Sequence, residues 1–150
     1  MSENKGYDVM ITVRGRQVYA DGTPDSSEMM TQGKLYPRED GFALEYEETE
    51  ITGMEGTTTS FVREGDVVSL TRSGSFNSQM VFQEGRQHSS LYRTPYGTLD
   101  VDIRTGRIRS SINELGGVME IDYDIAVQKQ LMSKNRFQIR VKRKNLRQEI

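Results

Sequence analysis

Apolar residues recur at every second position in one segment after another of this chain, and that spacing constrains its fold more than any other feature. Tyr7, Val9, Ile11 and Val13 alternate with Asp8, Met10, Thr12 and Arg14. The same period returns in Phe42-Leu44-Tyr46, Leu99-Val101-Ile103, Met119-Ile121-Tyr123-Ile125 and Phe137-Ile139-Val141. Side chains of a strand point alternately to its two faces, so each of these segments has one apolar and one wet side.

Turn chemistry lies between the segments. Asp21-Gly22-Thr23-Pro24-Asp25, Asp40-Gly41, Glu64-Gly65-Asp66, Glu84-Gly85 and Pro95-Tyr96-Gly97 each combine residues that favour tight reversals. Thr105-Gly106, Gly116-Gly117 and Ser133-Lys134-Asn135 are read as turns in the same way. A strand plus a turn every 8–12 residues or so is the spacing of an all-β sandwich or barrel. Helix signals are poor: alanine occurs only at Ala20, Ala43 and Ala126. Asp25 to Met30 reads either as one short capped helix or as the start of the next strand. The expectation is an all-β, closed or nearly closed antiparallel barrel of about eight to ten strands. It forms one domain over residues 1–150, with a core from about 7 to 142 and short polar termini.

A chain of 150 residues buries about 68–70% of its unfolded surface and needs no staple. Cysteine is absent, which removes disulfides, thiolate metal sites and cysteine nucleophiles. Behind Met1 no apolar run forms a signal peptide or a membrane span, so a cytoplasmic protein without a membrane role is expected. Net charge is only −2 but unevenly spread. Glu45, Glu47, Glu48, Glu50 and Glu55 crowd one hairpin region, and Lys134, Arg136, Arg140, Lys142, Arg143, Lys144 and Arg147 crowd the end. No base-stacking aromatics interleave with these cations, so nucleic acid is not the expected partner. An edge strand guarded by charge accounts for them instead.

No catalytic motif emerges and no cofactor is implied. The single histidine, His88, cannot build a multi-histidine zinc site, and no Gly-x-Ser-x-Gly elbow or phosphate-cradling glycine loop is present. Asp100-x-Asp102 and Asp122-x-Asp124 fall opposite the apolar parity, on the expected solvent face. The central strands are less clearly sided, and seven of their residues form a candidate ligand-binding group: Tyr46, Arg72, Met80, Phe82, His88, Tyr92 and Arg93. Apolar surface with one or two cationic donors suits an amphipathic or anionic ligand such as a carboxylate. In that case Arg72 or Arg93 points inward beside Phe82 and Tyr92 without a buried carboxylate. Otherwise the arginines pair with Glu45 or Glu47 at the rim of a packed aromatic core.

Gly33-Lys34-Leu35-Tyr36, Tyr46-Glu47-Glu48 to Gly53, Gly56-Thr57-Thr58-Thr59, Gly74 to Phe82, and Leu91-Tyr92-Arg93-Thr94-Pro95-Tyr96-Gly97 resemble segments of the YwiB-like family of small bacterial proteins. The match runs from about Tyr7 to Lys142, and Tyr-x-Thr-Pro-Tyr-Gly is its most specific part. The resemblance implies a calycin-like barrel, the architecture shared with lipocalins. It implies no activity, so it transfers no catalytic residues. The Gly-x-Trp signature of true lipocalins is missing, since the chain has no tryptophan. Two readings follow: a non-enzymatic barrel binding a small hydrophobic or anionic ligand inside, or a structural module whose side-chain-filled barrel meets a protein partner.

Overall fold

Each alternating segment becomes a strand whose apolar parity turns inward. A computed structural model describes residues 6–75 and 77–144, apart from the side chains of Arg93 and Thr94. Its strands are β1 (Tyr7–Tyr19), β2 (Pro24–Arg38), β3 (Gly41–Glu47), β4 (Thr57–Glu64), β5 (Val67–Gly74), β6 (Ser78–Gln83), β7 (Gln87–Thr94), β8 (Gly97–Ser110), β9 (Gly116–Val127) and β10 (Gln130–Arg143). All pair antiparallel in one 10-stranded sheet ordered β6-β5-β4-β3-β2-β1-β10-β9-β8-β7. No helix occurs among the described residues. The segment from Asp25 to Met30 lies in β2.

The sheet curls into a nearly closed barrel whose two ends, β6 and β7, follow each other in sequence. Side chains and a loop close that join instead of a ladder. His88 Nε2 lies 3.1 Å from Gln83 Oε1, and the Tyr92 hydroxyl donates to the Gln79 carbonyl at 3.4 Å. The connecting loop reaches across to β8, where the Gly85 amide donates to the Thr105 carbonyl at 2.9 Å.

Three sequence expectations are corrected here. Thr105-Gly106 is no turn but a β-bulge within β8, where the pairing with β9 shifts between Thr105 and Arg107. The extra residue bends the strand and frees Thr105 to bond the β6–β7 loop. Ser133-Lys134-Asn135 is interior to β10, and the true reversal is Gln128-Lys129. Both of those residues adopt positive φ, 52° and 69°, with no glycine to mark the turn. Finally, β10 is flanked by β1 and β9, so its cations guard no edge.

The inward parity builds one core. Val9, Ile11, Leu35, Phe42, Leu44, Phe82, Met119, Ile121 and Ile139 are fully buried. Across the barrel Phe82 packs edge-on to Tyr123 at 4.9 Å and to Phe137 at 5.8 Å. Phe61 and Tyr123 meet Phe137 at 5.6 Å and 5.9 Å. Each such pair adds about 0.5–1.5 kcal/mol beyond simple burial. The middle of the barrel is thus filled by its own rings.

Candidate functional site

At one end of the barrel the inward face turns polar. Register places Gly33, Tyr46, Thr59, Arg72 and Ser78 side by side across β2 to β6. Glu48 continues the inward parity of Phe42, Leu44 and Tyr46 one step past the end of β3, and it is 7% exposed. Its carboxylate accepts from the Thr59 hydroxyl at 2.5 Å and from the Thr52 hydroxyl at 2.9 Å. Arg72 Nε lies 3.8 Å from Glu48 Oε2, an ion pair too long to be a hydrogen bond. That Nε is buried without a hydrogen-bond partner, whereas the Arg72 side chain as a whole is 26% exposed. Glu48 therefore balances the charge from the Nε side, while the side chain keeps partial contact with solvent.

Three tyrosines share this field. Burial pushes the Tyr46 phenol well above its ordinary range, assisted by the Glu48 charge and opposed by Arg72. Burial raises Tyr123 to about 12 and also raises Tyr92, with Arg72 working against it in both. All three phenols are held neutral.

The β6–β7 join opens beside this row. A cleft of about 550 Å³ is lined by Asn77, Ser78, Gln79, Ser90, Leu91 and Tyr92. Ser78 is the direct cross-strand partner of Arg72, so the row runs into the cleft.

The structure divides the candidate group. Tyr46, Arg72 and Tyr92 gather at the open end, with Met80 half-buried against the core nearby. Phe82 belongs to the ring cluster. His88 holds the opposite end of the join through Gln83, about 13 Å along β7 from Tyr92 at strand rise. The Arg93 side chain lies outside the described residues, as does Arg147. The expectation of an inward arginine without a buried carboxylate is corrected: Arg72 does turn inward, but beside Glu48. Neither Glu45 nor Glu47 is its partner.

Glu48, Thr59 and Tyr123 were missed as members of the site. The signal for Glu48 was its parity with Tyr46, hidden among neighbouring glutamates. Asp102 also departs from the solvent-face reading. It is 5% exposed, accepts from the Ser89 hydroxyl at 2.6 Å, and lies 3.4 Å from Lys129 Nζ. These contacts hold its carboxyl below the ordinary range, the Ser89 bond most of all.

Comparison with known proteins agrees with this architecture. The family described as "Domain of unknown function (DUF1934)" matches residues 11–139. The "Uncharacterized beta-barrel protein YwiB" of Bacillus subtilis (strain 168) is 30% identical over 107 residues, covering 71% of this chain and 74% of that protein. The crystal structure of the ywiB protein from Bacillus subtilis shares the fold with a TM-score of 0.79, at 22% identity over 92% of each chain.

Proposed function

That this chain belongs to the DUF1934 family is the premise from which we propose a non-enzymatic binding function, seated at the polar end of the barrel. The ligand is a small amphipathic carboxylate or a similar organic anion. One observation carries this reading: Arg72 turns inward beside the buried Glu48, finds no hydrogen bond among the described residues, and has as its cross-strand partner Ser78, which lines an open cleft. The terminal guanidinium nitrogens form a planar fork that suits a carboxylate's two oxygens. Tyr92 and Ser78 supply hydroxyls beside it, and Met80 offers an apolar flank. Because aromatic rings fill the middle of the barrel, the ligand sits at the mouth and a long acyl chain is not accommodated. A cytoplasmic location is part of the same proposal.

Isothermal titration with octanoate and with anilinonaphthalene sulfonate tests it. Saturable binding weakened at least tenfold in Arg72→Gln is expected. If neither probe binds saturably, or if wild type and variant bind equally, the reading is wrong.

The filled interior favours a second reading, a structural module that meets a protein partner through its outer surface. Native mass spectrometry of protein purified from its own host separates the two. A retained small molecule supports the first, and a co-purifying polypeptide with an empty barrel mouth supports the second.

A further inference from the structure

The cations of β10 need another explanation once the edge is gone, and their neighbours supply it. On the outer face of β1, β10, β9 and β8 the registers align charged residues in three rows. Lys134 lies across from Asp124, and Asp124 across from Arg104. The second row reads Arg16, Arg136, Asp122 and Arg107, and the third Arg14, Gln138, Glu120 and Arg109.

In each row the β9 carboxylate turns the same way. Asp122 takes two hydrogen bonds from Arg136, at 2.6 Å and 3.2 Å. Asp124 pairs with Lys134 at 3.8 Å, and Glu120 accepts from Gln138 at 2.9 Å. Every acid is engaged by β10. Arg104, Arg107 and Arg109 of β8 are left exposed, with no ion pair among the described residues, and Arg104 donates to Gln87 Oε1 at 3.3 Å. On the other flank Arg16 stands directly opposite Arg136, a like-charge pairing that costs stability in a sheet. Arg16 too is exposed and has no ion pair among the described residues. A concavity of about 390 Å³ between the flanks is lined by Arg16, Arg104, Lys134 and Arg136 together with the paired Asp122 and Asp124.

We propose that this outer face binds the sugar–phosphate backbone of double-stranded nucleic acid, without reading sequence. The β8 arginines form one rail and Arg16 the other, separated by three strand spacings, or about 14 Å. That separation approaches the width of about 12 Å of a B-form major groove, whose two walls are phosphate strands. The neutralised β9–β10 pairs lie between the rails and face the groove. A single strand is disfavoured, because none of the residues in these rows is an aromatic platform for unstacked bases. The three rows hold seven Lys and Arg residues against three carboxylates, so this face is positive on a chain of net charge −2, which favours such an approach.

Fluorescence anisotropy with a labelled random-sequence DNA duplex, read between 50 and 200 mM NaCl, tests the proposal. Binding is expected to weaken with a log–log salt slope of about −3 to −5, at roughly −0.9 per phosphate contacted. Arg16→Gln combined with Arg107→Gln and Arg109→Gln should lose at least tenfold at 50 mM and flatten the slope by about 2–3. Arg38→Gln, outside these rows, should bind as wild type does. A circular dichroism melt of each variant shows that it is folded. No binding at 50 mM overturns the proposal. So does equal binding to polyglutamate, which would point to an acidic protein, and so does tighter binding to a single strand than to the duplex.

Discussion

Arg72 and Glu48 face each other at the barrel end with 3.8 Å between Nε and Oε2, although β4 lies between β5, which carries Arg72, and β3, past whose end Glu48 follows. Thr59 on that intervening strand links them, donating its hydroxyl to the same Glu48 oxygen. An ion pair drawn from non-adjacent strands depends on the curvature of the whole sheet, so its energetics report on the barrel and on the proposed site together.

Removing both partners should cost less than the two single removals added together. Glu48→Ala leaves the buried Thr59 hydroxyl without its acceptor and Arg72 without its counter-charge, a loss of about 1–3 kcal/mol. Glu48→Ala combined with Arg72→Ala should fall short of the sum of the single losses. Urea denaturation of the four proteins in this cycle measures the coupling, and strict additivity would show that the pair is only a geometric neighbour.

Raised tyrosine pKa values make an alkaline limit. Tyr123 is pushed up to about 12, and an unfolded tyrosine ionises near 10. Its contribution is present in full below about pH 10 and declines as pH rises through the folded value. Denaturation midpoints should therefore fall from about pH 10 upward, and Tyr123→Phe should flatten that decline.

Two glycines are needed for different reasons. Gly97 has φ of +125° in open space, so Gly97→Val meets only backbone strain, about 1–3 kcal/mol. Gly41 has no positive φ, but a Cβ there would lie 1.9 Å from the Arg63 carbonyl oxygen. Gly41→Ala should force β3 and β4 apart and cost more than about 2 kcal/mol. Thermal melts rank the two, and a Gly41→Ala protein as stable as wild type would contradict the close approach.

The Asp102 carboxyl sets part of the acid limit. Its folded pKa is lowered, chiefly by the Ser89 hydroxyl, so its stabilisation is present above the unfolded value near 3.9 and is lost as pH falls below it. Ser89→Ala should be less stable than wild type at pH 7, and the gap should close toward pH 2. Chemical denaturation at both pH values checks this, and an undiminished gap in acid would assign the effect to packing.

Much of the fold was legible because period-two alternation is local. Val9-Ile11, Phe42-Leu44-Tyr46 and Phe137-Ile139-Val141 all turn inward as their spacing dictates. Turns were legible where glycine or proline carried them, as at Gly65 and Pro95-Tyr96-Gly97. The Gln128-Lys129 turn was not, because tertiary pairing holds two ordinary residues at positive φ. Of the candidate site, alternation brought out Tyr46. It hid Glu48, whose burial depends on Thr59 and Arg72 arriving from other strands.

By itself the sequence determined the faces of the flanking strands, and with them an antiparallel all-β chain of about this many strands. Strand neighbours were decided only in the tertiary structure: that β10 is central, that β6 and β7 meet without a ladder, and that Glu48 reaches Arg72 across β4. The side-chain period of a strand fixes which way a residue points from its own backbone. Which residue it then meets depends on register and closure, and these are properties of the whole sheet.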